Sequence, residues 1–157
     1  MIRVGQGFDV HRFSADPGRR LVLGGVVIEG APGLAGHSDG DVVSHAVADA
    51  LLGAAGLGDL GEHFPDDDAR WEGAHSLDLL SQVHRLVREA GWSPVNVDCA
   101  VVAESPRLAP HLPAMRANLS ESAGAPVTVK PKRAEGMGAL GRAEGIACWG
   151  VALVERS

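Results

Sequence analysis

Asp9 and His11 stand two residues apart in the run Gly7-Phe8-Asp9-Val10-His11. On an extended strand, residues two apart share a face, so a carboxylate and an imidazole would project side by side. Asp41, His45 and Asp49 follow at i, i+4 and i+8, which on a helix aligns them along one face. A carboxylate beside an imidazole is what fixes the tautomer of a metal-ligating histidine, and Asp41 and Asp49 are expected to support His45 in this way. Asp9, His11 and His45 together would make a three-ligand zinc site with its fourth position open, which suits catalysis rather than structure. Spacing leaves a plainer alternative standing: a surface Asp and His at a strand end, and a solvated polar stripe on a helix.

Three further segments could handle ions. His37-Ser38-Asp39-Gly40-Asp41 leads into the helix that carries His45, either as an anion site at a helix N-terminus or as a plain capping segment. Gly58-Asp59-Leu60-Gly61 and Phe64-Pro65-Asp66-Asp67-Asp68 could form a cation site, a flexible lid or a solvated loop. Lys130-Pro131-Lys132-Arg133-Ala134-Glu135, followed by the glycine-punctuated run to Gly145, gathers cations and backbone N–H groups beside a carboxylate. That composition suits a phosphate–cation pocket, or a surface turn, and lacks the Gly-Lys-Ser/Thr ending of a Walker A loop.

The elements that must position these groups follow from periodicity. Residues 2–10 predict a strand interrupted by Gly5 and Gly7, and residues 20–29 a strand broken at Gly24-Gly25 by a bulge or tight hairpin. Helices are predicted over residues 41–55, 76–90 and 111–123, and strands over 95–101, 127–130 and 146–154, with loops at 57–74 and 131–145. The last strand is apolar on both faces, as a strand covered on both sides would be. With three helices on one sheet face, another subunit is a good candidate to cover the other. The order predicts an α+β layer rather than a doubly wound sheet.

The chain has 157 residues, a length that suits one domain spanning 1–157. It carries 14 Lys+Arg against 20 Asp+Glu, a formal net charge of −6 that argues against nucleic acid as a partner. Two cysteines exclude a disulfide scaffold, and no apolar run has the length of a membrane span or a signal peptide. A cytoplasmic protein is expected.

Taken together, Gly7-Phe8-Asp9-Val10-His11, His37-Ser38-Asp39-Gly40-Asp41-Val42, residues 49–54, Gly58-Asp59-Leu60-Gly61, Phe64-Pro65-Asp66 and residues 141–147 closely resemble the 2-C-methyl-D-erythritol 2,4-cyclodiphosphate synthase family, in order over essentially the whole chain. The resemblance implies a homotrimer of α+β subunits, with one sheet face packed at the threefold axis, helices on the other face and active sites between neighbours. It implies a zinc ion per subunit on Asp9, His11 and His45, and a second divalent ion, Mg²⁺ or Mn²⁺, on Glu135. The implied substrate is a small nucleotide diphosphate, 4-diphosphocytidyl-2-C-methyl-D-erythritol 2-phosphate, whose 2-phosphate attacks its own β-phosphorus and expels CMP. This is a reaction of the non-mevalonate isoprenoid pathway. A phosphate monoester is already largely dianionic at neutral pH, so orientation and charge neutralisation matter more than a general base.

By the same resemblance, His37 and Ser38 hold the 2-phosphate side, and Asp59 and Asp66 the erythritol hydroxyls. Val10, Leu60, Gly61, Phe64 and Asp68 complete that side, with residues 64–74 as a mobile cover. Ala103, Pro106, Arg107, Leu108 and Ala109 match the stretch that grips cytosine, and Lys132 and Arg142 are implied to bind substrate as well. Arg142 and Glu144 match positions near the trimer axis, where with Phe8 an isoprenoid diphosphate could be accommodated.

The chain departs from the pattern in places. Lys132, Arg133 and Ala134 replace consecutive hydroxyl residues, so Arg133 is expected to contact phosphate in place of a hydroxyl. Gln6 stands where His is frequent, and Ala139 where Phe is frequent. Two alternatives use the same ligands. One is a zinc-dependent phosphohydrolase acting on a nucleotide-like substrate through zinc-bound water. The other is a structural metal clamp in a trimeric binding protein.

Overall fold

The computed structural model describes residues 1–156. The strands are β1 (Ile2–Arg12), β2 (Arg20–Leu23), β3 (Val26–Pro32), β4 (Ser93–Val102), β5 (Val127–Lys132) and β6 (Gly145–Glu155). The α-helices are α1 (Val42–Ala55), α2 (Leu60–His63), α3 (Ser76–Glu89), α4 (Leu112–Ala123) and α5 (Gly138–Gly141), and the α+β class expected from the sequence holds. Among the described residues, four strands form one sheet in the order β1-β6-β4-β5, and β2 and β3 form a separate hairpin. β4 and β5 run parallel, and the other neighbours in the large sheet are antiparallel. A parallel neighbour requires a crossover, which α4 provides.

Helices α1, α3 and α4 share one side of the sheet, and α1 lies closest to it. A Cβ at Gly7 would sit 2.1 Å from the carbonyl oxygen of Ala46, and one at Gly5 would sit 2.2 Å from that of Ala50. The glycines therefore do not interrupt β1, as the sequence suggested: the strand runs unbroken through both, and they remove the atoms that would hold α1 away. Alanines at 46, 50 and 54 make the matching row on the helix. The two rows run antiparallel, so the next residues along β1 on that face, Asp9 and His11, reach the N-terminal turns of α1.

Between sheet and α3, helix α1 is buried on nearly every side, including Val43, Val47, Leu51 and Leu52 at 0% exposure. Each buried aliphatic side chain of this size contributes about 1.5–3 kcal/mol. Helix α3, on the outside of the layer, keeps a single apolar face of Leu79, Leu80, Val83 and Val87. The Gly24-Gly25 break is a tight hairpin: φ is +54° and +70°, the left-handed pair that a two-residue turn between twisted strands demands. The loop predicted over 57–74 contains α2 and a 3-10 turn at Ala69–Trp71, and the loop over 131–145 contains α5.

The opposite sheet face is apolar and open. Val4 is 65% exposed, Phe8 46%, Val10 49%, Trp149 39% and Val151 50%. Phe8 and Trp149 pack on each other across β1 and β6, with ring centroids 4.8 Å apart. Exposed apolar side chains grouped in this way are typical of surfaces that bind a partner or ligand. Among the described residues, no helix is long and apolar enough to cross a membrane.

Candidate metal centre and active site

Asp9, His11 and His45 converge where β1 meets α1: one donor atom from each lies within 4.8 Å of the others. Asp9 Oδ2 is 2.9 Å from His45 Nδ1 and 3.1 Å from His11 Nε2. The second contact is badly angled, so His11 Nε2 is a buried nitrogen without a hydrogen-bond partner among the described residues. A buried orphan nitrogen costs about 1–3 kcal/mol of lost solvation unless something binds it. One carboxylate and two imidazoles within this radius fit a three-ligand divalent metal site.

The electrostatics agree with tight coupling among the three side chains. Burial pushes the Asp9 carboxyl up, but the imidazoles of His11 and His45 outweigh it and hold the group well below the usual carboxylate range. Burial likewise disfavours charge on His45, yet the Asp9 carboxylate, with smaller help from Asp41 and Asp39, raises its pKa overall.

Asp41 and Asp49 do different work from that expected: neither carboxylate bonds His45. Asp41 caps α1, accepting from the N–H groups of Val43 and Ser44 and from the Ser44 hydroxyl. It also accepts from Gly24 and Gly25 N–H at 2.9 and 2.8 Å, tying the β2–β3 turn to the start of α1. Its burial pushes the carboxyl up while these donors pull it back. Four of its five named partners are backbone N–H groups that can only donate, and the Ser44 hydroxyl alone could also accept a carboxyl proton. Asp49 accepts from Leu60 N–H at 3.2 Å, bracing the start of α2. A carboxylate one helical turn from an imidazole need not turn towards it when backbone donors compete.

The groups that do touch His45 on its other side are hydroxyls. Nε2 lies 2.8 Å from Ser76 Oγ and 3.2 Å from Ser38 Oγ. Ser76 is 1% exposed and donates its hydroxyl proton to Asp39. Sequence reading missed Ser76, which is 31 residues from His45 and looks like any other residue at a helix start.

A cleft of about 210 Å³ opens from this centre, lined by His11, His37, Ser38 and His45 together with Leu60, Gly61, Phe64, Asp66 and Trp71. His37 Nε2 donates to the Asp68 carbonyl at 3.2 Å, joining the segment before α1 to the residue 64–74 loop. The Asp68 carboxylate is taken up by Arg70, and Asp59 caps α2 through Glu62 N–H. Neither side chain lines the cleft.

The other predicted contacts gather elsewhere. Ala103, Pro106, Arg107, Leu108 and Ala109 line a separate cleft of about 320 Å³ with Lys132 and Arg133. Glu104 anchors it by accepting from Ala134 N–H at 2.7 Å. Glu135 follows, exposed and in the left-handed region at φ +53°, so the loop turns sharply there. Val10 faces the open side of the sheet and shares a wider groove with Arg12, Ala139 and Glu144. Arg142 pairs with Glu144 at 2.7 Å, both exposed. Within one chain, then, the metal cluster and Arg133 line two separate clefts.

The sequence model of the YgbB family matches residues 2–155. The 2-C-methyl-D-erythritol 2,4-cyclodiphosphate synthase of Bordetella petrii is 55% identical over 158 aligned positions, covering 99% of this chain and 96% of that protein. Among solved structures, the bifunctional IspDF of Campylobacter jejuni superposes with a TM-score of 0.93 at 41% identity, covering all of this chain but 43% of that one. IspF of Plasmodium falciparum, solved as a CDP complex, superposes at 0.85 with 31% identity, covering 99% of this chain and 97% of its own. The chain therefore belongs to the YgbB family, and its relatives are 2-C-methyl-D-erythritol 2,4-cyclodiphosphate synthases.

Proposed function

We propose that the chain is a lyase that converts 4-diphosphocytidyl-2-C-methyl-D-erythritol 2-phosphate to 2-C-methyl-D-erythritol 2,4-cyclodiphosphate and CMP, with residues 1–157 as one catalytic domain. A 2-phosphate oxygen forms a bond to the β-phosphorus. The bond from that phosphorus to the α–β bridging oxygen breaks, and CMP leaves with that oxygen. The observation that carries the reading is the Asp9–His11–His45 cluster opening into a cleft lined by His37 and Ser38. Asp9, His11 and His45 would hold a zinc ion, which would supply Lewis acidity at the β-phosphate, and Glu135 would hold a second divalent ion to offset the remaining diphosphate charge.

The chain's own residues do the positioning. His37, steadied by the Asp68 carbonyl, and Ser38 hold the 2-phosphate side, and Asp66 meets erythritol hydroxyls from the cleft wall. Backbone groups of residues 103–109 hold the cytosine, and the Arg133 guanidinium takes the phosphate contact of the missing hydroxyl. Because these groups lie in two clefts, one copy supplies the metal half and its neighbour the nucleotide half. Two unlike surfaces meeting head to tail can close into a ring, and the family resemblance implies a ring of three. The exposed sheet face of Val4, Phe8, Trp149 and Val151 faces the axis of that ring.

Phosphorus NMR of the products decides the reaction. The cyclodiphosphate and CMP are expected from zinc-replete protein, and an acyclic phosphate product would overturn the cyclase in favour of a hydrolase. His45→Ala is expected to abolish turnover, and full activity in that variant would break the metal assignment.

A further inference from the structure

Ser76 begins α3, and the residue before it, His75, makes no side-chain cap. The cap comes instead from the segment before α1: Asp39 Oδ2 accepts from Ser76 N–H at 3.0 Å, and Asp39 Oδ1 accepts the Ser76 hydroxyl proton. Asp39 Oδ1 also accepts from Asp41 N–H at 3.1 Å, so the carboxylate is an acceptor in all three bonds. A serine hydroxyl has one proton. Once that proton is given to Asp39, Ser76 Oγ can only accept, and the atom facing it at 2.8 Å is His45 Nε2. That nitrogen must therefore carry a hydrogen. Ser38 Oγ, farther away at 3.2 Å, takes a long bond from Gly40 N–H and leaves its own proton uncommitted, so it does not decide the matter.

We propose that Ser76 and Asp39 are positioning residues that keep a proton on His45 Nε2, so that Nδ1, facing Asp9, is the atom the ring offers to the metal. The inference rests on the reading of Asp9, His11 and His45 as the metal set. The Asp39–Ser76 pair is a carboxylate–hydroxyl relay in the place where a carboxylate alone commonly orients a metal-bound imidazole. It also links the ligand ring to the first turn of α3, an element that contributes no ligand.

The test measures zinc affinity by chelator competition in Ser76→Ala, Ser76→Thr and Asp39→Asn, with ring N–H signals of the zinc-loaded proteins followed by nitrogen-15 NMR. Removing an outer partner of a ligand weakens metal binding by about 10–100-fold, which is the loss expected for Ser76→Ala. Ser76→Thr keeps the hydroxyl and is expected to retain affinity close to the parent. In Asp39→Asn the amide can donate to Ser76, freeing its proton, so affinity is expected to fall although Ser76 is intact. The parent is expected to show a slowly exchanging His45 Nε2–H that is lost in Ser76→Ala. Unchanged affinity and an unchanged ring signal in Ser76→Ala would overturn the relay while leaving the metal set intact. Zinc binding that survives His45→Ala would overturn the metal set itself, and the relay with it. If Ser76→Ala does not fold, the zinc-loaded parent still decides: zinc on Nε2, with the proton on Nδ1, overturns the relay.

Discussion

In the cleft at the β1–α1 junction the side chains are held before any ligand arrives. His45 is fixed at both ring nitrogens, His37 is bonded to the residue 64–74 loop, and Asp9 and His11 rise from a strand clamped to α1. In the cleft of Ala103 and Arg133 the walls are formed, but Lys132, Arg133 and Glu135 stand exposed. The difference follows from what each half must do. A metal needs its donors within a few tenths of an ångström, which regular elements supply better than loops. A flexible diphosphate can be met by long cations and backbone groups that settle when the substrate and a second copy arrive.

If the halves meet only between copies, separating the copies disables both at once. Trp149→Glu places a charge on the face proposed to be covered, and an uncompensated buried charge costs about 3–5 kcal/mol. Sedimentation is expected to show monomers that still bind zinc and no longer turn over. Turnover by isolated monomers would break the two-half reading. A mixture of His45→Ala and Arg133→Ala chains is expected to recover activity, because some sites then receive both intact halves.

Next in size, Gly7→Ala should damage the metal half alone. Its new methyl would overlap the Ala46 carbonyl, so α1 must move, at about 3 kcal/mol of stability measured in urea. Zinc affinity is expected to fall with it, while nucleotide binding in the other cleft is spared. Equal damage to both would blur the contrast.

Arg133→Ala should do the reverse. A hydrogen bond to a charged group contributes about 1.5–3 kcal/mol, so kcat/KM is expected to fall about 10–100-fold with zinc affinity unchanged. No loss would return the phosphate contact to backbone donors.

The smallest effect belongs to Asp98 on β4. Lys130 and then Thr128 hold its carboxyl below the ordinary value. A depressed carboxyl contributes stability above its unfolded pKa of about 4, and that contribution is lost as pH falls through its lower folded value. With side chains 44% and 52% exposed, the pair is screened to well under about 1 kcal/mol. Thermal melting of Asp98→Asn is expected to differ slightly from the parent at neutral pH and to coincide with it in strong acid. A difference that persists in acid would assign the effect to packing.

What the sequence revealed was what neighbouring residues decide. The helices holding His45 and Val83, and the face shared by Asp9 and His11, follow from periods of 3.6 and 2. The remaining expected site residues came from the family motifs. Hidden were the contacts made over long separations: Asp41 on Gly24 and Gly25, Asp39 and Ser76 behind His45, and the division of the contacts between two clefts. Spacing could say that Asp41 and His45 share a helix face. It could not say that backbone donors would claim the carboxylate first.

Asp41 joins four backbone amides, those of Gly24, Gly25, Val43 and Ser44, to one buried carboxylate. None of these bonds can be replaced by water unless the hairpin and the first turn of α1 part company. In a hydrogen-exchange experiment the four protons should therefore exchange through one shared opening, although they belong to two elements. His45 lies one turn along the same helix, so that opening also sets how often an empty metal site comes apart.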